Sequence, residues 1–271
     1  MSVKFSIIAV ALNPGDKVKK TIDSILSQSY TDYEVIYKDG GSTDGSLDYV
    51  KSLSLNNLKI VTGKDSGIYD AMNMAVGSAE GGYVYFLNCG DWFYSADVLA
   101  KVASEIERIE ETDSSEAGYI LYGNIYDRIT ASRVSSNPAI DGFACYRNVP
   151  CHQACFYKRE LICKHPFETK YKIRADYEQF LWCFYEGEAS FKYMDLLIAD
   201  YEGDGFSETK KNLVLSKEEH KLITEKYMEK KDLIKYRLIL LLTLAPLRTA
   251  LSKNKVTGRI YNGLKGLIYK R

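Results

Sequence analysis

GYVYFLNCGDW, residues 82–92, is a short apolar run that ends abruptly in an amide, a thiol, a glycine and a carboxylate. A run this short and this apolar reads as a strand buried on both faces, and the same pattern recurs upstream. VKFSIIAVAL (3–12), YEVIYKD (33–39) and LKIVTG (58–63) are three further strands. Between them, KVKKTIDSILSQS (17–29) places Val18, Ile22, Ile25 and Leu26 on one helical face, and SLDYVKSL (46–53) makes a second helix. Ser66 or Asp65 is placed to cap a third, from Ile68 to about Val76. Strands alternating with helices predict an α/β fold with a parallel sheet.

Beyond Asp91 the pattern becomes mixed. A polar helix is expected over 97–111, strands over 119–130 and 152–157, a loop up to about 149, and an aromatic-rich helix from about Asp176. No repeat or low-complexity linker interrupts the chain, so one compact domain to about residue 210 is predicted, with a nucleotide half (1–100) and an acceptor half (101–210).

The 271 residues are 46% hydrophobic, which supports a full core and excludes a disordered chain. The net charge of zero conceals an asymmetry: residues 233–271 hold nine cations (Lys235, Arg237, Arg248, Lys253, Lys255, Arg259, Lys265, Lys270, Arg271) and no acid. Within this basic extension, 211–271, LILLLTLAPL (238–247) is too short to span a bilayer and contains Pro246. It reads as an interfacial anchor on an anionic membrane or as a helix packed on the domain with a solvated basic face. Without aromatic stacking platforms on a basic groove, the charge does not indicate nucleic acid.

Six cysteines in a chain with no signal-like start point to a reducing, cytoplasmic location rather than a disulfide scaffold. Cys151, Cys155, Cys163 and His165 offer zinc-type ligands, but a strand over CHQACFY would set Cys151 and Cys155 about 13 Å apart. Buried thiols are the simpler reading.

Ligands of open parallel sheets bind beyond the carboxyl ends of the strands. Those ends carry Asn13, Asp39 to Asp44, Asp65, and Asn88 to Asp91. ALNPGDK has one glycine where a dinucleotide site needs three, so that reading falls. In KDGGSTDGS, Gly40 and Gly41 allow close ligand approach, and Asp39 is placed to accept hydrogen bonds from a base or ribose; the same residues would also serve a plain, well-capped loop.

SIIAVALN, EVIYKDGGSTDGS, DSGIYDAMNMAVGSAEGGYVYFLNCGDW, HQACFYKRE and RADYEQF, in this order, closely resemble family-2 glycosyltransferases over about residues 3–205. The GIYDAMN and LNCGD pair looks most like the branch of colanic-acid-type bacterial polysaccharide transferases. The resemblance implies a GT-A fold with a mixed, mostly parallel sheet, a nucleotide-sugar donor (UDP favoured), Mg²⁺ or Mn²⁺, and inversion. By motif, Asp39 would contact the base, Asp65 and Asn73 would line the donor side, and Asp91 would bind the metal. Asn88 would donate to a sugar hydroxyl or orient a metal-bound water, with a turn residue as its plainer role. Asp176 matches the catalytic base, with a helix N-cap as its plainer role and Glu178 as the alternative base. His152 and Gln153 match an element near acceptor and donor sugar, although a lone histidine is also a common core residue. Tyr201 opens YEGDGFS (201–207), similar to a loop that closes over the diphosphate. Gly40, Asn88 and Ala175 replace acids common in the family. Those losses leave open a non-catalytic nucleotide-sugar or glycan-binding subunit, with a nucleotidyltransferase as a third reading.

Overall fold

The computed structural model describes residues 4–112, 118–203, 210–243, 251 and 255–269. Nine strands form one sheet: β1 (Phe5–Ala11), β2 (Tyr33–Asp39), β3 (Leu58–Thr62), β4 (Tyr83–Phe86), β5 (Trp92–Phe93), β6 (Tyr119–Asp127), β7 (Ser132–Val134), β8 (Cys155–Lys158) and β9 (Ser190–Tyr201). The order is β3-β2-β1-β4-β8-β6-β9-β5, with β7 paired to β6. β1 to β4 are mutually parallel, and β1 lies between β2 and β4. The chain therefore reverses its winding direction at β1, and the crevice beyond the carboxyl ends of β1 and β4 is the topological switch point.

Alternation along the strands divides the core. Ile8, Val10, Ile36, Val84 and Phe86 face the layer containing α3 (Ile68–Val76) and α7 (Ala175–Tyr185). Phe5, Ile7, Ala9, Val35, Tyr37 and Tyr85 face α1 (Lys17–Leu26) and α4 (Val98–Thr112). Both faces are covered, which explains why β2 is buried at every position, its charged residues included.

The acceptor half departs from expectation. The strand expected over 152–157 begins only at Cys155, because His152–Ala154 form a 3₁₀ turn. Cys151 and Cys155 are therefore not spaced as strand residues, the Cys155 thiol donating to the Cys151 carbonyl at 3.3 Å, and burial pushes the Cys151 thiol up to about 12 and the Cys155 thiol well above its usual value. The twelve-residue β9 was not foreseen, and α5 (Gly142–Arg147) occupies the expected loop. Past residue 210, α8 (Lys210–Tyr227) packs on α7 with Ile223 fully buried, so the extension is joined to the core. α9 (Lys230–Leu242) and the helix Lys255–Tyr269 follow.

At the sheet end opposite the crevice, buried Glu34 accepts hydrogen bonds from Ser6 Oγ at 2.7 Å and from the amides of Glu80 and Gly81, and it pairs with Lys59 at 2.8 Å. Burial raises its pKa, but Lys59, Ser6 and the amides outweigh that and bring it to about 2. A folded pKa below the unfolded one stabilises above about 4.5 and is lost as pH falls toward about 2. Urea unfolding should show an acid-side loss of about 3 kcal/mol from this group over that window. Glu34→Gln should flatten it; an unchanged acid limb in the variant would refute the assignment.

Candidate active site

The crevice is assembled from the loops that end β1 to β4, the turn ahead of β8, the start of α7 and the ends of β6 and β9. At Asn13 the Oδ1 accepts Thr43 N–H at 2.8 Å and the N–H donates to Ser42 Oγ at 2.9 Å, and Asp44 Oδ2 accepts Gly15 N–H. These bonds tie the loop after β1 to the loop after β2. Asp39 Oδ2 accepts the amides of Gly41 and Ser42 at 2.8 and 2.9 Å, while Oδ1 is buried without a partner among the described residues. A buried acceptor of this kind is suited to an incoming N–H or O–H donor.

Asp65 is held at 2.8 Å by Lys38, whose fully buried ammonium also reaches the carbonyls of Asp39 and Gly63. This pairing explains Gly40. A Cβ there would lie 2.9 Å from Asp65 Oδ2 and 3.4 Å from the Ala11 carbonyl, so a second carboxylate has no room. Lys38 was missed, although a lysine inside the apolar run of β2 was a visible signal. Asn73 does not line this side. Its Nδ2 donates to the Phe167 carbonyl and its Oδ1 accepts Phe167 N–H, so both ends of the amide anchor the 167 loop to α3.

After β4 the backbone turns back on itself, with Asp91 N–H donating to the Asn88 carbonyl at 3.0 Å. Gly90 sits in this turn at φ +112, a conformation that favours glycine. Thr21 of α1 fixes the turn by accepting Gly90 N–H and donating to the Asp91 carbonyl. Asp91 is 5% exposed; its Oδ1 accepts Glu202 N–H and its Oδ2 accepts Gln153 Nε2–H, each at 2.8 Å. The loop that follows Tyr201 is thereby brought to Asp91 within one residue, and its remainder, 204–207, lies outside the described residues. Tyr201 itself contributes its carbonyl to Arg128 N–H at the end of β9. Gly203, at φ +75, has no room for a Cβ against Ile129.

Arg128 was also missed, since nothing in its local sequence marks it. Its guanidinium stacks 3.7 Å from the Trp92 ring, pairs with Asp200 at 2.8 Å and donates to the Gly90 carbonyl. It lies 3.6 Å from Asp91 Oδ1. Burial nevertheless raises the Asp91 carboxyl above its usual range, against the opposing pull of Glu202 N–H, Gln153, His152 and Arg128. A site that already disfavours its own anion, with one carboxylate and the buried, unpartnered Asn88 Oδ1, suits a hard cation shared with phosphate oxygens rather than caged by protein. The residues present fit Mg²⁺ or Mn²⁺ in that role.

The 3₁₀ turn carries His152 and Gln153 between these groups and α7. Asn88 Nδ2 lies 3.3 Å from His152 Nε2, and His152 Nδ1 lies 3.1 Å from Asp176 Oδ2. The Tyr69 hydroxyl is 2.8 Å from both Asp176 Oδ1 and the Ile173 carbonyl. Asp176 lies in the first turn of α7, which starts at Ala175 with Arg174 as N-cap, so it is not the cap itself. Burial raises its pKa, but His152, Tyr69 and Tyr177 N–H outweigh that and hold it below the usual aspartate value. With the side chain 26% exposed, the ionised carboxylate remains reachable.

Glu178 is not reachable. Fully buried, it binds His165 Nε2 at 2.9 Å, Lys226 Nζ at 2.6 Å and the Tyr227 hydroxyl. Burial raises its carboxyl, and these partners together bring it to about 2. It joins α7 to α8 and is excluded both as base and as an acceptor contact. His165, Glu168 and Glu178 are close enough to ligate a metal, yet the Lys226 ammonium already sits 2.8 Å from Glu168 and supplies the cation.

A sequence model of glycosyl transferase family 2 matches residues 6–157. Among curated proteins, a PGL/p-HBAD biosynthesis glycosyltransferase of Mycobacterium bovis is 36% identical over 210 residues, covering 76% of this chain and 79% of its own. An Escherichia coli protein, UDP-Glc:alpha-D-GlcNAc-diphosphoundecaprenol beta-1,3-glucosyltransferase WfaP, is 31% identical over 154 residues, 54% of this chain and 57% of its own. Among solved structures, S. aureus TarS 1-349 in complex with UDP-GlcNAc superposes with a TM-score of 0.59 at 17% identity, over 82% of this chain and 66% of that one. A mannosyltransferase from Pyrobaculum calidifontis in complex with GDP-Man and Mn²⁺ gives 0.56 at 15% identity, over 100% of this chain and 89% of that one. At these identities the structures show the fold alone, and the nine-stranded sheet with helices on both faces described above is of that mixed α/β, GT-A-like kind.

Proposed function

Because the chain belongs to glycosyl transferase family 2, and is a glycosyltransferase, we propose that it transfers a sugar from a nucleotide donor, a UDP-sugar, to a hydroxyl of a polysaccharide or lipid-linked oligosaccharide, with inversion. The observation that carries this is the polar chain Asn88–His152–Asp176–Tyr69, which crosses from the tip of β4 to α7 and sets an ionised carboxylate opposite the Asp91 turn. Asp176 takes the proton of the acceptor hydroxyl as that oxygen attacks the anomeric carbon. His152 and Tyr69 orient Asp176 for that step. Asp39 and the loops tied by Asn13 hold the nucleoside, and Asp65 lies on the donor side. Asp91 and Asn88 would hold a divalent cation with the diphosphate, whose departing charge it would neutralise. Gln153 keeps the Asp91 carboxylate aimed at that position.

A UDP-sugar and a diphospholipid-linked acceptor are named for the E. coli relative, which supports the same substrate classes here. The GIYDAMN and LNCGD pair supports the branch of colanic-acid-type polysaccharide transferases, working at the cytoplasmic face of the membrane. The replaced acids at Gly40, Asn88 and Ala175 favour one rival, a nucleotide-sugar-binding subunit without turnover.

Purified protein should melt at a higher temperature with UDP and Mn²⁺, and should release UDP from one member of a UDP-sugar panel. Chelator should abolish both effects. Binding with no release from any donor would assign the rival reading, and an equal thermal shift with chelator present would remove Asp91 from cation binding.

A further inference from the structure

Helix α9 is apolar on two opposite faces. At about 100° per residue, Leu233, Tyr236 and Leu240 fall on one side. There Leu233 is buried, and Tyr236 and Leu240 pack on the core. Ile234, Leu238, Leu241 and Leu242 fall within an arc of about 100° on the other side. They are 59%, 54%, 67% and 83% exposed. Lys230 and Arg237 border this outer stripe on one edge and Lys235 on the other, all three exposed. Lys231 also lies on the outer side, but pairs with Glu229 at 2.8 Å.

The inner face accounts for the packing of α9, and among the described residues the outer stripe has no role in it. We propose that this outer face docks on an anionic membrane surface. The helix would lie in the plane of the interface, with its four aliphatic side chains at the acyl boundary and Lys230, Lys235 and Arg237 among the headgroups.

Charge selects this occupant. Residues 233–271 hold nine cations and no acid, which complements an anionic leaflet. A second copy placed stripe to stripe would instead bring the bordering cations of both copies together. Spanning is excluded for α9, whose 13 residues extend about 20 Å, and no helix among the described residues is long and apolar enough to cross a bilayer. The docking does not depend on the transfer reaction, so either reading can fail without the other.

The test is flotation of the full-length chain with vesicles of phosphatidylcholine alone and of phosphatidylcholine with phosphatidylglycerol. Wild type should bind the anionic vesicles about tenfold more strongly or better, and lose that preference at high salt. Leu238→Glu/Leu241→Glu should abolish flotation while leaving the melting temperature and the UDP-induced shift unchanged, because both positions are exposed. Lys230→Ala/Lys235→Ala/Arg237→Ala should lower binding to the level seen with neutral vesicles. Failure of wild type to float, or flotation of the double variant like wild type, overturns the proposal. So does a concentration-dependent dimer that the double variant dissolves, which would assign the face to a second copy.

Discussion

Asp176→Asn is expected to lower sugar transfer by about 10³-fold, with UDP binding unchanged. The substitution is nearly isosteric. Its amide oxygen can still accept from Tyr69 and Tyr177 N–H, whose bonds to Oδ1 measure 2.8 and 2.9 Å. The amide nitrogen then faces His152 Nδ1, which answers by carrying its proton on Nε2, and the Asn88 amide can turn its unpartnered Oδ1 to accept it. The fold loses little, while the basic lone pair that takes the acceptor proton is gone. The depressed pKa adds a second readout. Because Asp176 in the folded chain ionises below the usual aspartate value of 3.8, its protonation should not limit the rate until pH falls below that value. Measured kcat and UDP affinity decide the matter. A variant that retains more than about a tenth of wild-type kcat excludes Asp176 as the base.

Glu219→Ala is expected to destabilise the protein by about 3 kcal/mol, a fall in melting temperature of roughly 5–10 °C. This one buried carboxylate on α8 accepts three consecutive amides, from Lys172, Ile173 and Arg174, at 2.6, 3.0 and 2.9 Å. Arg174 Nε donates back to Ser216 on the same helix at 2.8 Å. Removing the carboxylate leaves those amides without their acceptor at the entrance to α7. The Ile173 carbonyl is also one of the two acceptors beside the Tyr69 hydroxyl, so loosening this segment releases Asp176 from its alignment. Glu219 is a positioning residue: kcat should fall while the KM for the donor sugar holds, and Glu219→Gln, which keeps one acceptor oxygen, should recover part of both losses. An Ala variant that melts like wild type, or whose KM rises while kcat holds, rules out the clamp.

Much of the nucleotide half was readable in the sequence because its information is local. β1 and β4 are apolar runs buried on both faces, α1 and α3 have clear apolar stripes, and the polar residues that end the strands lie where a parallel sheet puts its ligands. Helix caps were less secure. Ser66 or Asp65 was expected to cap α3, yet Gly67 holds the cap position, Asp70 accepts Ser66 N–H, and Asp65 is shared between Gly67 N–H and Lys38. Competing side-chain partners decided the outcome there.

By itself, the sequence determined the α/β alternation and the polar crevice at the strand ends with Asp39 and Asp91, since periodicity and strand-end chemistry depend on neighbours a few residues apart, while His152 and Asp176 were marked only by their resemblance to the family's motifs. Only the tertiary structure decided between Asp176 and Glu178, because two carboxylates on one helix turn differ in what packs over them: α8 covers Glu178 with Lys226 and Tyr227, and leaves Asp176 open to the crevice. It also decided Asn73, whose amide is consumed by a backbone 94 residues away in the chain, and Arg128, brought to Asp91 by the pairing of β6 with β9. In the FLNCGDW turn, Asn88 and Asp91 received their partners His152 and Gln153 only when β8 paired antiparallel to β4 and carried the preceding turn to the mouth of the strand. Contacts of that range are set by sheet topology and packing, which no local spacing of residues encodes.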